Sequence, residues 1–329
     1  MNWSFGGIEV PGKVVLGPMA GVTTKAFRTF MKSFGVSLCY TEMVSDMGLL
    51  KDNQTTMRYL DIDAHEHPIG VQLFGSTQET LVDALKKLQE MKHDYDFIDI
   101  NLGCPVPKVT STGAGSAWLK RPDELFAMLS ALVKASRTPI TAKIRIGWDE
   151  QSINVRQIAK GIETTGVALL SVHSRTTQQM YTGTAQHDQV VNLGQEIKIP
   201  LIISGDIFTI DDAVNAMEKT KATAVLVARG GIGHPHFIKQ LDHYLKTQER
   251  LPDLGVQVQA DYLEQLAIKL VDLKGEVIGI RELRGIGTHF LSGYPFMNQF
   301  KSKLTAANTL VEVQAISTAI RQHIAVQPV

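Results

Sequence analysis

Two apolar segments of the sequence each carry a pair of basic side chains two residues apart. Lys143 and Arg145 lie in TAKIRIGW, and His173 and Arg175 lie in SVHSRT. Residues i and i+2 share one face of a β-strand, so each pair would point the same way. Any one of these residues could equally be solvated at a strand end. Because a buried lysine is unfavourable without an anion, the cluster as a whole predicts a site for an anionic ligand.

Glycines follow two later apolar segments and point to the same kind of ligand. One segment ends in SGD, Ser204 to Asp206, and the next ends in ARGG, which includes Ala228, Arg229 and Gly230. Glycine allows backbone N–H groups to approach a ligand closely and surround a phosphate. This pattern predicts a phosphorylated ligand without saying which one.

Cys104 is a candidate proton donor. It stands between Gly103 and Pro105 in DINLGCP, where a strand must turn into a loop, so we expect an accessible thiol. With an ordinary pKa near ~8.5 the thiol would be protonated at neutral pH. Cys39, in contrast, is expected to be a small buried apolar residue. The scattered histidines suggest no metal site.

The elements that must position these residues alternate along the chain. Apolar segments that predict strands cover residues 13–20, 38–43, 68–75, 97–104, 139–147, 168–175, 200–207 and 224–231. Amphipathic segments that predict helices between them include residues 77–92, 122–136, 152–165 and 209–219. Near-continuous apolar strands separated by helices indicate a parallel sheet. Eight such units predict an α/β fold, a (β/α)8 TIM barrel with its chemistry at the carboxyl ends of the strands.

A doubly wound open sheet is the main rival fold. It would carry a glycine-rich nucleotide loop after its first strand, and GPMAG at residues 17–21 lacks that pattern.

The barrel pattern ends after a helix predicted over residues 235–246. The polar segment TQERLPDLG at residues 247–255 predicts a linker. Helical periodicity then predicts a small all-α bundle with helices at residues 261–274, 281–291, 298–305 and 310–324. We therefore expect a catalytic domain over residues 1–246 and a helical domain over residues 256–329.

Composition narrows the class of protein. Hydrophobic residues make up 44% of the 329 residues, and 33 basic side chains balance 33 acidic ones. A formal net charge of zero gives no global attraction to nucleic acid or membrane, so a polyanionic partner needs a local basic patch. Two cysteines are too few for a disulfide scaffold. With no signal peptide or long apolar segment evident, we expect a cytoplasmic enzyme.

Taken together, several strings resemble the tRNA-dihydrouridine synthases, most closely the bacterial B-type subgroup. They occur in the family's order and spacing: GPMAGVT, TEMVS, VQLFG, DINLGCPVPKV with GAGSAWL, AKIRIGW, VHSRT, SGDI and VARGGIGHP. The resemblance covers essentially the whole chain. It implies an FMN-dependent barrel followed by a helical tRNA-binding domain. The implied activity is reduction of specific uridines in tRNA to 5,6-dihydrouridine with NADPH, and we expect a monomer.

The resemblance also implies roles for individual residues. It assigns flavin binding to Pro18, Met19, Ala20, Gln72, Lys143, His173, Ser204, Gly205, Asp206, Ala228, Arg229 and Gly230. Gln72 would hydrogen-bond the pyrimidine edge of the flavin, and Lys143 would stabilise the anionic reduced ring. Hydride would pass from flavin N5 to uracil C6, and Cys104 would protonate C5. Asn101, Arg145 and Arg175 are candidates for orienting a uracil flipped out of the tRNA.

The helical domain contains a local basic patch. Arg281, Arg284 and Lys301 are the candidate tRNA contacts, and Glu282 is the single acid between residues 277 and 305. A solvated helix face is the alternative explanation. This region departs from the family, which has a Lys-His pair where Gly285 and Ile286 stand. Glycine in a helix weakens it by ~1 kcal/mol, so the departure bears on tRNA affinity and position choice.

Two smaller departures concern the phosphate loops. Ser204 replaces the usual Asn, which affects only a side-chain contact because backbone N–H groups could still bind phosphate. Ala228 replaces the usual Gly, which is tolerable if its φ is negative.

Two alternative functions remain open at this point. One is an FMN barrel that acts on a free pyrimidine, which the helical tail disfavours. The other is a flavin-retaining tRNA-binding protein without turnover, which the presence of Cys104 and Lys143 disfavours. The sequence does not determine the tRNA position or the choice between NADPH and NADH.

Overall fold

The computed structural model describes residues 2–91 and 93–325. Met1, Lys92 and residues 326–329 lie outside the described residues, and with them the end of the helix predicted over 77–92 and of the last predicted domain. The centre of the structure is a barrel of parallel strands. These are β3 (Val14–Leu16), β4 (Cys39–Tyr40), β5 (Val44–Ser45), β6 (Ile69–Phe74), β7 (Phe97–Leu102), β8 (Ile140–Arg145), β9 (Leu169–His173), β10 (Leu201–Ser204) and β11 (Ala224–Val227).

Strand order confirms the predicted TIM-barrel topology. The strands pair as β3-β11-β10-β9-β8-β7-β6-β4, and β5 also pairs with β6. A parallel bridge from Val15 to Leu38 joins the two ends of this order. The strand predicted over residues 38–43 is thus two short strands, β4 and β5, that share one position in the barrel. With that position counted once, the barrel has the eight expected units.

Helices cover the outside of the barrel. They are α1 (Lys25–Lys32), α2 (Asp46–Leu50), α3 (Gln54–Arg58), α4 (Gln78–Glu90), α5 (Pro107–Thr110), α6 (Pro122–Ala135), α7 (Val155–Thr164), α8 (Leu193–Glu196), α9 (Ile210–Thr220) and α10 (Pro235–Thr247). Thr77 and Thr209 cap α4 and α9 through their hydroxyl oxygens, as their positions suggest. Helix α7 begins later than predicted because Asp149 caps a separate 3-10 turn, Glu150–Ser152.

An antiparallel hairpin closes the amino-terminal end of the barrel. Its strands are β1 (Trp3–Phe5) and β2 (Ile8–Val10). Phe5 packs edge-on against Phe97 with ring centroids 5.2 Å apart, and Tyr40 packs edge-on against the same ring at 5.6 Å. These side chains form an apolar layer inside the barrel, separate from the larger core between strands and helices. At this end of the barrel, the described residues thus fill the interior with apolar side chains.

Four helices follow the barrel after an irregular segment, residues 248–255. They are α11 (Val256–Lys274), α12 (Glu276–Ile286), α13 (Asn298–Ala306) and α14 (Leu310–Ala325). Helix α12 begins five residues before the predicted 281, because Gly275 with φ of +77° turns the chain directly from α11 into α12. The predicted helix over 281–291 therefore divides between the end of α12 and a 3-10 turn, Gly287–Leu291.

The carboxyl-terminal helices pack directly on the barrel. Tyr262 meets Phe34 of the barrel edge-on at 4.9 Å, and Phe290 lies 6.4 Å from Phe30. Gly233, in the loop after β11, lies so close to His289 that a Cβ there would be 2.3 Å from the His289 carbonyl carbon. Between residues 2–91 and 93–325, no helix is long and apolar enough to cross a membrane.

Candidate active site

Strand register brings the predicted residues together at the carboxyl end of the barrel. Gln72 pairs with Asp99, and Asp99 pairs with Thr141 on the opposite side. One step further along the strands, Asn101 pairs with Lys143.

The last row of the sheet completes this arrangement. Arg145 pairs with His173, and His173 pairs with Ser204. Residues two apart on parallel strands thus form successive polar layers inside the barrel, as the two-residue spacing predicts.

A cavity opens at this end of the barrel. It is lined by Gly17, Pro18, Met19, Lys143, His173, Tyr181, Ser204, Gly205, Asp206, Ile207, Phe208, Leu226, Ala228, Arg229 and Gly230. Most of the predicted flavin-binding residues lie on this wall. Ala20 is solvent-exposed on the same loop, and Gln72 is fully buried below the cavity.

The loops after β10 and β11 form an anion-binding shape. Within the described parts of the chain, the backbone N–H groups of Gly205, Asp206 and Ile207 have no protein acceptor. A Cβ at Gly230 would lie 2.1 Å from the Ile207 carbonyl oxygen, so only glycine permits this approach. Free N–H groups beside a glycine loop suit a phosphate.

Ala228 and Ser204, which replace the usual Gly and Asn in these loops, are both accommodated in the structure. Ala228 has φ of −121°, so it lies outside the left-handed region that favours glycine and meets the condition for this change. The Ser204 hydroxyl donates to the Val172 carbonyl oxygen at 3.4 Å, so it is engaged within the sheet.

Asp206 is the single carboxylate among the residues that line the cavity, and two arginines neutralise it. Arg175 donates to Asp206 Oδ2 at 2.6 Å, and Arg229 donates to Oδ1 at 3.2 Å. Burial alone would raise the pKa of Asp206, but hydrogen bonds from Arg175 and the Ala185 N–H lower it. With Lys143 also present, the cavity keeps a surplus of positive charge.

Both Lys143 and His173 have lowered pKa values. Burial, reinforced by the neighbouring Arg145, lowers the pKa of Lys143 to about 8. Burial and the cations Lys143, Arg145, Arg175 and Arg229 lower the pKa of His173 well below its usual value, so the ring is neutral. Lys143 donates no hydrogen bond to any acceptor in residues 2–91 and 93–325. It is therefore a cation available to an anionic ligand.

Cys104 is fixed on both sides by its backbone. Asn101 Oδ1 accepts the Cys104 N–H at 2.9 Å. The Cys104 carbonyl oxygen accepts the Ser116 N–H at 3.1 Å and the Ser116 hydroxyl at 2.8 Å.

The structure corrects our expectation of an accessible Cys104 thiol with an ordinary pKa. The residue is only 8% exposed, because the 3-10 turn Gly115–Lys120 folds over it. Burial raises the pKa of the thiol, and the Val106 N–H, Arg145 and Lys143 only partly oppose this. The thiol is thus more firmly protonated than expected, as a proton donor needs to be.

Arg145 has partners other than an open ligand site. Its Nε donates to the Gly103 carbonyl oxygen at 2.9 Å, and its Nη1 donates to the carbonyl oxygens of Thr176 and Met180, each at 2.7 Å. The guanidinium thus joins the loop that carries Cys104 to the loop after β9. Its expected role as a substrate contact stays a prediction.

Sequence reasoning missed Tyr181 and Phe208 at the mouth of the cavity. They are 50% and 49% exposed. The Arg229 guanidinium lies 5.1 Å from the Tyr181 ring centroid and 5.8 Å from that of Phe208. Both occur in irregular loops with no periodic signal, so only the folded loops reveal their position.

The predicted tRNA contacts differ in availability. Arg281 is exposed on α12, whereas Arg284 donates to the Ala307 carbonyl oxygen at 2.7 Å and ties α12 to the next loop. Lys301 donates to Ser292 Oγ at 3.3 Å. Glu282 is paired with Lys274 at 2.7 Å, so the single acid of the basic patch is neutralised.

A TIM barrel with a positively charged cavity and two glycine loops at its strand ends is typical of barrel enzymes that bind phosphorylated ligands. A family model described as "Dihydrouridine synthase (Dus)" matches residues 15–325, and the chain belongs to this family. The predicted resemblance and enzyme class are thereby confirmed.

Named relatives match over nearly their whole length. "tRNA-dihydrouridine synthase B" of Pseudomonas aeruginosa is 34% identical over 323 residues, which cover 98% of this chain and 95% of that protein. "Probable tRNA-dihydrouridine synthase" of Rickettsia bellii is 34% identical over 311 residues, covering 94% of this chain and 95% of that one.

Solved structures share the fold at low sequence identity. An old yellow enzyme homologue from Zymomonas mobilis gives a TM-score of 0.55 at 13% identity, covering 78% of this chain and 95% of that chain. Histamine dehydrogenase from Rhizobium sp. gives 0.56 at 13% identity, covering 82% of this chain and 50% of that chain. These likenesses concern the fold alone.

Proposed function

We propose that this enzyme reduces specific uridines in tRNA to 5,6-dihydrouridine, with FMN as its cofactor and NADPH as the source of electrons. The family and the names of its relatives support the reaction. For this chain, the main support comes from the arrangement of residues at the carboxyl end of the barrel. A phosphate-shaped loop, an available Lys143 and a protonated Cys104 lie at one end of the same barrel.

The residues at the strand ends fit a flavin mononucleotide. The free N–H groups of residues 205–207, with Arg229, would hold its phosphate. Lys143 would stabilise negative charge on the flavin ring. When bound and reduced, FMN supplies a hydride for uracil C6. The remaining flavin contacts that we propose are Pro18, Met19, Ala20, Gln72, His173, Ser204, Ala228 and Gly230.

Cys104 would complete the reduction. Hydride addition at C6 leaves carbanion character at uracil C5, and a neutral acid must protonate that carbon. Burial keeps the Cys104 thiol protonated, and Asn101 and Ser116 hold its backbone. We propose Asn101, Arg145 and Arg175 for orienting the base. All three already hydrogen-bond the loops around the site, so they would act by fixing these loops beside the base.

The carboxyl-terminal helices would bind the rest of the tRNA. We propose residues 1–246 as the catalytic domain and residues 256–329 as the RNA-binding domain, joined by residues 247–255. The exposed Arg281 would contact phosphates directly, with Arg284 and Lys301 adding to the positive surface. The reduced base must leave the RNA stack to reach a site inside the barrel mouth.

The test is an anaerobic half-reaction. The flavin of the purified protein is reduced, an unmodified tRNA transcript is added, and the return of oxidised flavin absorption is followed. We expect prompt reoxidation by tRNA, and none by free uridine or orotate at the same concentration of pyrimidine.

Other outcomes select the alternatives. Equal reoxidation by a free pyrimidine would make the protein a small-molecule reductase. Reoxidation by none of these substrates, with tRNA bound tightly, would favour a binding protein. Failure to bind FMN at all would overturn the proposal.

A further inference from the structure

A chain of polar side chains runs beneath the site and ends in a buried carboxylate. Asp99 is fully buried, accepts from Thr141 Oγ1 at 2.6 Å through Oδ1, and accepts from Gln72 Nε2 at 2.7 Å through Oδ2. In the described part of the chain, no lysine or arginine hydrogen-bonds to it. A buried carboxylate without a cationic hydrogen-bond partner is unfavourable for folding, so its presence needs another explanation.

The charge on Asp99 determines which way two amides face. An ionised carboxylate can only accept hydrogen bonds, so Gln72 must turn its Nε2 toward Asp99 and its Oε1 away. Gln72 Oε1 then accepts from Asn101 Nδ2 at 2.8 Å. That bond in turn directs Asn101 Oδ1 toward the backbone.

The chain ends at the proton donor. Asn101 Oδ1 accepts the N–H groups of Gly103 at 3.1 Å and Cys104 at 2.9 Å. With either amide reversed, a nitrogen would face these N–H groups and the bonds would be lost. Every bond between Asp99 and Cys104 thus has the same polarity, which the Asp99 carboxylate imposes at one end and the Gly103 and Cys104 N–H groups accommodate at the other.

We propose that Asp99 is a positioning residue: through Gln72 and Asn101, its carboxylate holds the Cys104 backbone in place. The role of Cys104 as the acid rests on the proposed function, whereas the hydrogen-bond chain does not. Burial raises the pKa of Asp99 to about 6, against the hydrogen bonds from Thr141 and Gln72 and the charge of Lys143. At neutral pH the carboxylate is thus ionised and imposes the acceptor polarity.

The test measures the reactivity of the Cys104 thiol directly. All variants carry Cys39→Ala, so that iodoacetamide reports on one thiol. Asp99→Asn keeps the shape and removes the charge. We expect its alkylation rate to rise ~10-fold as the loop loosens. We expect kcat for tRNA reduction to fall ~10–100-fold with KM little changed, the range for loss of a hydrogen bond to a charged group.

Two further variants separate positioning from packing. Thr141→Val removes the other hydrogen bond to the same carboxylate, and it should change the alkylation rate by less than ~2-fold because the Gln72 bond remains. In Asp99→Asn with Gln72→Glu, the charge moves one residue along the chain. The carboxylate introduced by Gln72→Glu can only accept, so Asn101 again presents Oδ1 to the backbone, and alkylation should return to within ~3-fold of the parent rate.

Each result bears on the proposal. Asp99→Asn with the parent alkylation rate, or with no greater effect than Thr141→Val, would overturn it. If Asp99→Asn alone does not fold, the double variant decides: restored protection supports the proposal, and a folded protein with a reactive thiol contradicts it. If the parent reduces no tRNA, the proposed function fails, but the alkylation rates still test the positioning role.

Discussion

The two ends of the barrel are made from the same strands and have opposite chemistry. On the inner face of β7, Phe97 packs against Phe5 and Tyr40 at the amino-terminal end. Asp99 and Asn101 follow at two-residue steps and enter the polar chain below Cys104. Depth along a single strand thus separates residues that hold the barrel together from residues that could perform chemistry.

The two cysteines repeat this contrast. Cys39 is fully buried between the barrel and its helices, and its Sγ lies 3.4 Å from the Glu66 carbonyl oxygen. Burial raises its pKa to about 12, so this thiol is inert. Cys104 is also protonated, but it lies at the strand ends beside Lys143 and Arg145. Protonation alone does not identify a proton donor, whereas position in the barrel does.

Replacing each cysteine with alanine should give the largest difference between the ends. Cys104→Ala should slow single-turnover reoxidation of reduced flavin by tRNA ~10²–10⁴-fold, the range for loss of a general acid, while FMN binding persists. Cys39→Ala should leave the rate unchanged, because its thiol touches no part of the site. Comparable losses in the two variants would remove the proposed role of Cys104.

For stability, in contrast to activity, the larger loss is expected at the amino-terminal end of the barrel. Phe97→Ala should lower the free energy of unfolding by ~3–5 kcal/mol, since it leaves a cavity in the apolar layer. Phe208→Ala should change that free energy by less than ~0.5 kcal/mol because the ring is half exposed at the cavity mouth. Urea denaturation of both variants measures the difference. A small effect for Phe97 would mean that the hairpin end adds little to stability.

Lys143 should make cofactor binding depend on pH. Its lowered pKa of about 8 means that the free protein loses this charge as pH rises through 8. A bound phosphate-bearing anion favours the charged form and raises that pKa, so FMN binding should take up a proton above pH 8. We expect affinity to fall ~3–10-fold between pH 7.5 and ~9, by fluorescence titration. The variant Lys143→Met should bind FMN more weakly, and its affinity should not change with pH over this range. If the variant keeps the pH dependence of the parent protein, Lys143 is not the group responsible.

A baseline for these effects comes from α12, which belongs to neither end of the barrel. Gly285 has no atom within 4 Å of where a Cβ would stand, so Gly285→Ala should raise the free energy of unfolding by ~0.5–1 kcal/mol. A Cβ at Gly279 would lie 2.7 Å from the Leu270 backbone, so Gly279→Ala should instead destabilise by ~1–3 kcal/mol. Thermal unfolding of the two variants measures both effects. If Gly279→Ala is also stabilising, the close packing of α12 against α11 does not limit stability.

The parts of the site that could be predicted from sequence follow from strand periodicity. Alternation and parallel order were enough to bring Lys143, His173 and Ser204 to one cavity. Periodicity gave Arg145 the same status as Lys143. The two differ in the structure because the loop carrying Thr176 and Met180 turns carbonyl oxygens toward Arg145, whereas no hydrogen bond of Lys143 is seen among the described residues.

Other features depend on contacts that no local pattern encodes. The burial of Cys104 comes from a turn more than ten residues later in the chain, Gly115–Lys120. Tyr181 reaches the cavity from an irregular loop. Helix α12 begins early because the chain turns at the single residue Gly275, where helical periodicity predicted two helices with a longer connection between them. Asp99 lies in an apolar strand, and its importance depends on the direction of the Gln72 and Asn101 amides.

The contact between Gly233 and His289 bears on how a tRNA could be placed on the protein under the proposed function. Backbone meets backbone there, with no side chain between the loop after β11 and the turn that follows α12. This contact helps to set how far Arg281 on α12 lies from the mouth of the barrel in the structure. Under the proposed function, the distance from Arg281 to the mouth of the barrel would select which nucleotide of the bound tRNA reaches the active site.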